Sequence, residues 1–188
     1  QTVLQSYEPE SKCVQFDDIK NLKGQEFRDV FTAQSIVYVY HDRIDNTGEH
    51  EEDAVFEACE KTVDEISKLI RKISTSGNTY HFIVTADHGF IYKRDKVTAS
   101  DKIGGMSDEG RLVKRRYIVS KEPITEQGVC NIGLGYILGS EDDKIVSYSC
   151  STNVFATPGN AGLNYVHGGS SPQEMLVPVL DIKMDKGA

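Results

Sequence analysis

No run of the sequence approaches the ~18 uninterrupted apolar residues that a membrane-spanning helix needs, so no such helix is expected. The opening residues, QTVLQSYEPESKC, lack a basic stretch followed by an apolar one, so no secretory signal is expected there. Cysteine is sparse: four residues, at 13, 59, 130 and 150, with no Cys-x-x-Cys pair. Free reduced thiols packed as small hydrophobes are expected, in keeping with a cytoplasmic protein. Positive charge is in deficit, 21 Lys and Arg against 29 Asp and Glu, for a formal net charge of −8. That balance argues against general adhesion to nucleic acid or to an anionic membrane. Internal repeats and low-complexity tracts are also absent.

What remains is an ordinary globular composition of 188 residues, 38% hydrophobic and 27% charged, enough for one α/β domain. Residues 1–17 are polar with little periodicity and are expected to be poorly structured. Residues 22–33 have helical spacing in Leu22, Phe27, Val30 and Phe31. SIVYVYH then reads as a strand buried on both faces, and DRIDNTGEH after it as a loop. Residues 51–75 carry the clearest helical stripe: Val55, Cys59, Val63, Ile66, Leu69, Ile70 and Ile73. Acids in its first turn and bases in its last suit the helix dipole, and Ser76-Gly77-Asn78 stops it. TYHFIVTADHG follows as a second buried strand. Strand, helix, strand predicts a βαβ unit with parallel strands and a right-handed crossover. Residues 93–110 read as a surface loop. RLVKRRYIVS, NIGLGYILG, KIVSYSC and TNVFA read as short strands of an antiparallel element. The end predicts a strand tip at Tyr165-Val166, a His-Gly-Gly turn, a short helix near Pro172–Met175 and a final strand over Leu176–Ile182.

In open α/β sheets the working residues gather at the carboxyl ends of the strands. Asp45, Glu49 and His50 follow the first strand, Asp87 and His88 the second, and His167 the strand tip at 165–166. Carboxylates and imidazoles together are hard and borderline ligands that suit Zn²⁺ or Mn²⁺. The set is large enough for more than one ion. His41 and His81 flank strands and fit structural roles better. Gly89 allows the tight departure that aims Asp87 and His88 at one point.

Three segments, YVYHDRIDNTGEH, FIVTADHGFIY and YVHGGSSPQEMLVPVL, in this order and spacing, resemble the PglZ family of BREX-type phage resistance, within the alkaline phosphatase superfamily. The resemblance covers about residues 20–182. It implies an alkaline-phosphatase-like α/β fold with a mostly parallel or mixed sheet, and two divalent metal ions, commonly zinc, that bridge a phosphoryl group. Carried over, Asp87 and His88 look like ligands to the ion that also holds the nucleophile. Asp45, a residue four or five positions on, and His167 look like ligands to the other. The superfamily's Asp-x-x-x-His becomes Asp45 with Glu49 at that offset and His50 one further. A carboxylate there hardens the site toward Mn²⁺ or Mg²⁺, whereas a bulged loop presents His50.

The superfamily's nucleophilic Ser or Thr lies upstream of the first matching segment, and nothing in residues 1–35 resembles it. The chain is therefore expected to be the C-terminal part of one such domain over 1–188, inactive alone. The implied activity is phosphatase or phosphodiesterase chemistry on a phosphorylated substrate or nucleic acid, alongside other defence proteins and away from membranes. The rival reading is a degenerate docking domain of a defence complex. Arg111, Lys114, Arg115 and Arg116 form the densest basic cluster, expected as a solvated strand edge guarded by charge.

Overall fold

The computed structural model describes residues 2–105, 110–157 and 164–185. Residues 106–109 of the predicted 93–110 loop lie outside the described residues. In chain order the first elements are α1 (Thr2–Tyr7), β1 (Ser11–Gln15), α2 (Phe16–Ile19), α3 (Gly24–Phe31), β2 (Ile36–Tyr40), α4 (Arg43–His50), α5 (Val55–Ser76) and β3 (His81–Thr85). Then come β4 (Ile91–Tyr92), β5 (Lys102–Gly105), β6 (Leu112–Val113), β7 (Tyr117–Ser120), β8 (Val129–Gly133), α6 (Gly135–Leu138), β9 (Ile145–Ser149) and β10 (Val154–Ala156). The last are β11 (Tyr165–Val166), α7 (Pro172–Met175) and β12 (Val179–Lys183). Two compact units result, one from Gln1–Thr85 with Val179–Ala188 and one from Ala86–Pro178.

In the first unit, Ile19, Phe27, Val30, Phe31 and Ile73 form the core, with Val14, Val37, Val39, Leu69 and Phe82 packed against it. The period-3.6 stripes of α3 and α5 and the period-2 faces of the strands thus supply one shared interior. Helix α3 appears where predicted, and α5 runs from Val55 to Ser76, closed by Gly77 and by Asn78 at φ 53°. Its buried residues are Val55, Ala58, Thr62, Ile73 and Ser74; the predicted stripe holds with Val55 and Ile73 buried and Cys59, Ile66, Leu69 and Ile70 half-buried, while Val63 is exposed.

Several expectations are corrected here. Of the predicted unstructured stretch 1–17, the described residues 2–17 are ordered into α1, β1 and the start of α2. Strand β1 has little local signal because it is made by its parallel pairing with β2 and by Val14 joining the core. Strands β2 and β3 are not buried on both faces: residues alternate between half-buried and exposed, with Ile36, Tyr38, Tyr40 and Ile83 outward. Nor do β2 and β3 pair with each other. β2 pairs with β1 in parallel, while β3 pairs with β12 antiparallel, Thr85 opposite Val179. DRIDNTGEH is helix α4, not a loop, with Asn46 N–H donating to Asp42 O at 2.9 Å and Glu51 N–H to Thr47 O at 2.7 Å. Asp, Asn, Thr and Gly are weak helix formers, so packing on α5, with Gly48 buried, is what fixes it.

The second unit holds an antiparallel sheet in the order β6-β7-β9-β8, over a core of Ile103, Ile118, Ile124 and Phe155. A further cluster joins Ile91, Val154 and Val166. The 93–110 stretch is not loop throughout, since β5 pairs in parallel with β10. NIGLGYILG is only half strand, β8 giving way to the short helix α6. RLVKRRYIVS is a hairpin, β6 to β7, rather than one strand. Cys130 and Cys150 are joined in a disulfide, and only Cys13 and Cys59 are free. The register of β8 on β9 sets Cys130 opposite Tyr148, which brings Cys150, just past β9, within a Cα–Cα distance of 6.1 Å. No spacing rule shows such a pair, and it removes the thiol argument for a cytosolic setting. Among the described residues no helix is long and apolar enough to cross a membrane.

Candidate metal centre

The register of one short ribbon assembles the centre of the second unit. Strand β11 runs antiparallel to β4, with Tyr165 opposite Tyr92 and Val166 opposite Ile91. His167 follows β11, and the Asp87-His88 turn precedes β4, so both arrive at the same end of the ribbon. Their imidazoles stack with centroids 4.4 Å apart and planes 1° from parallel, and a nitrogen of each lies within 4.8 Å of the other. Tyr165, 3% exposed, backs the pair: its ring lies 5.8 Å from His167 and 5.0 Å from Phe90.

The tautomer of His88 is set by its backbone. Nδ1 lies 3.0 Å from Gly89 O, a carbonyl that only accepts, so Nδ1 carries the proton and Nε2 keeps its lone pair. Asp87 Oδ1 sits 3.8 Å from that Nε2, and it also accepts the His88 backbone N–H at 3.0 Å. Two ligands each ~2.1 Å from a shared zinc sit roughly 3.4 Å apart in tetrahedral geometry. The donor pair fits one divalent ion after a small adjustment, and the Asp87 side chain is 90% exposed. His88 and His167 each offer a nitrogen within 4.8 Å of the other, close enough for both to serve a metal site, and their rings stand parallel.

Gly89 is required for a different reason than a tight departure. A Cβ there would stand 2.1 Å from Gln173 O, because the Gly89 backbone lies against α7 and its N–H donates to Glu174 O at 2.8 Å.

In the first unit, α4 carries Asp45 and Glu49 one turn apart on the same face. Asp45 is half-buried and Glu49 exposed. The helix continues without a bulge through His50, whose Nδ1 lies 2.8 Å from Asn46 O. His41 binds Glu65 at 2.8 Å and His81 binds Asp181 at 2.8 Å, each in a structural contact.

The basic cluster contains the residue that sequence reasoning misjudged. Arg116 is not on a solvated edge. It is fully buried and forms a bidentate pair with Glu174, Nε to Oε1 and Nη2 to Oε2, both at 2.8 Å. Glu174 was legible only as the far end of Ser171-Pro172-Gln173-Glu174, the spacing of a capping box, which α7 does form.

Small mixed sheets flanked by helices make this an α/β protein, and in its second unit an Asp-His turn lies beside a second histidine. Residues 1–182 match the BREX system PglZ alkaline phosphatase-like domain, and the chain belongs to that family. It is 38% identical over 187 residues to the alkaline phosphatase-like protein PglZ of Bacillus cereus (strain H3081.97), covering 98% of this chain and 22% of that protein. Against the alkaline phosphatase-like protein BrxZ of Escherichia coli O9:H4 (strain HS) it is 30% identical over 186 residues, 97% of this chain and 21% of that one. The chain thus spans about a fifth of the length of these curated relatives. In fold it resembles murine ectonucleotide pyrophosphatase/phosphodiesterase 5, with a TM-score of 0.60 at 16% identity, over 90% of this chain and 52% of that one.

Proposed function

We propose that the chain is the metal-binding part of a metal-dependent phosphoryl hydrolase, a phosphatase or phosphodiesterase, that works with other proteins of a cytoplasmic BREX-type defence system. The observation that supports this most is the parallel pair of His88 and His167. Both imidazoles are close enough to serve a metal site, and two ions about 3.5–4 Å apart are the arrangement used for in-line displacement at phosphorus. Asp87 and His88 would hold one ion, zinc by preference with Mn²⁺ or Mg²⁺ as alternatives. On the family resemblance, His167 and Asp45 serve the other, with Glu49 the carboxylate at the offset where the superfamily has histidine and His50 the second candidate there. When bound, such ions supply Lewis-acid stabilisation of phosphoryl oxygens. The chain's own part is to orient: Gly89 O fixes the His88 tautomer, and the exposed Asp87 leaves room for a substrate phosphate. The nucleophile belongs to sequence other than this, and the chain alone is inactive.

Glu49 in a histidine's place favours the rival reading, a non-catalytic docking domain, and one experiment separates the two. Metal content and turnover of bis(p-nitrophenyl) phosphate and p-nitrophenyl phosphate are measured with Zn²⁺ and Mn²⁺ on a longer protein carrying this chain. About two ions per chain are expected, with turnover abolished in the Asp87→Ala/His88→Ala variant. Unchanged turnover in that variant rejects the assignment, and a metal-free protein with no turnover supports docking.

A further inference from the structure

Among the largest fully buried side chains of the described residues, Arg116 and Glu174 are the two charged ones, and neither is placed in the metal centre above. The Glu174 carboxylate takes five donors. Oε1 accepts Arg116 Nε at 2.8 Å and Gly169 N–H at 2.8 Å. Oε2 accepts Arg116 Nη2 at 2.8 Å, Ser171 N–H at 3.1 Å and Ser171 Oγ–H at 2.7 Å. The guanidinium places four of its five N–H donors: besides the two to Glu174, Nη2 donates to Ser151 O at 2.7 Å and Nη1 donates to Asn153 O. Burial pushes the Glu174 carboxyl up, but the donors from Arg116, Ser171 and Gly169 outweigh it, and the carboxyl stays ionised below its ordinary range.

A buried ion pair is a poor device for stability alone, since apolar residues of similar volume often do as well; fixing one geometry is the better-attested return. What this pair fixes can be read from its partners. Through its side chain, Glu174 holds Gly169 and Ser171, in the turn that begins at His167. Through its backbone carbonyl it holds Gly89, the residue beside His88. One residue therefore ties together the two turns that carry the stacked imidazoles. Gly169 has no room for a side chain, its Cβ direction lying 2.6 Å from Arg116 Nη2 and 2.8 Å from Glu174 Oε2.

We infer that Arg116 and Glu174 are positioning residues that set the parallel arrangement of His88 and His167. They act through the Gly169–Ser171 turn and Gly89. Their effect on metal affinity rests on the function proposed above, whereas their effect on imidazole geometry does not.

The test compares the unaltered chain with Glu174→Gln, Arg116→Lys and Ser171→Ala. Circular dichroism reports folding, imidazole ¹H–¹³C resonances are recorded without metal, and Co²⁺ titration is followed by visible absorption. His41, His50 and His81 are internal controls. In the folded variants the His88 and His167 resonances are expected to move while the three controls stay. Co²⁺ affinity should fall about 10- to 100-fold in Glu174→Gln, as for other groups that orient ligands, with a smaller loss in Arg116→Lys, which keeps charge but not the fork. If Glu174→Gln fails to fold, Ser171→Ala carries the test, because it removes one hydroxyl donor and leaves the ion pair. Folded variants with unmoved His88 and His167 resonances overturn the inference. An unaltered chain that binds no Co²⁺ sinks the metal reading instead, and the resonances still decide the positioning claim.

Discussion

The two units each contain an Arg–Glu fork, and the forks differ in everything but their chemistry. In the first, Arg43 reaches Glu65 with Nε at 2.9 Å and Nη2 at 2.6 Å, and His41 adds a third contact at 2.8 Å. Arg43 is 36% exposed and Glu65 25%, so water screens the pair and can replace either partner. In the second, Arg116 and Glu174 are 0% and 1% exposed, and no water stands ready to substitute for a lost donor. The same pair of side chains is a surface clasp in one place and a fixed hinge-pin in the other. Surroundings, not residue type, decide which.

The largest expected effect breaks the comparison directly. Replacing Glu174 by Ala strands a buried guanidinium and is expected to cost about 3–5 kcal/mol. Glu65→Ala leaves Arg43 free to turn to solvent, and about 1 kcal/mol is expected. Urea denaturation of both variants checks this. Losses of equal size would mean that burial does not separate the two forks.

A backbone substitution sharpens the same contrast without touching a charge. Gly169→Ala drives a methyl against Arg116 and Glu174 and is expected to cost about 1–3 kcal/mol by overpacking. Gly133→Ala in β8 meets nothing within 4 Å and should stay within about 0.5 kcal/mol of the unaltered chain. Denaturation midpoints of the two variants would coincide if the fork tolerates displacement.

The contrast also shows what a sequence can and cannot reveal. Helices α3 and α5, strands β2 and β3 and the α7 segment were legible because each carries a local pattern: an apolar stripe, a β-branched run, or a Ser-Pro start with a glutamate three positions on. His88 and His167 were legible as strand-end histidines beside glycines, and they do lie together. Helix α4 was not legible, because a run of Asp, Asn, Thr and Gly declares a turn until α5 packs on it. Arg116 was hidden by its neighbours: among Arg111, Lys114 and Arg115 it reads as one more surface base, and its partner stands 58 residues on. The Cys130–Cys150 bond was hidden likewise, since the β8–β9 register creates it. Non-local pairing was the common cause.

Acid offers the finest test of the two carboxylates. Both are held below the ordinary 4.5: Glu65 chiefly by donation from Arg43, against burial and with help from His41, and Glu174 by donors that outweigh its burial. A carboxyl whose folded-state pKa is depressed adds stability that is fully present above the unfolded value. That contribution is lost as pH falls through the folded one. The stability gap between the unaltered chain and Glu174→Gln should therefore be constant above about pH 5 and narrow below 4.5. The gap for Glu65→Gln should narrow over the same range and from a smaller starting size, because three donors rather than five are at stake. Urea titrations at stepped pH measure both gaps. A Glu174 gap that stays flat down to pH 3 would mean that the carboxyl takes up its proton alike in the folded and the unfolded chain, and one that widens would reverse the sign of its linkage to folding.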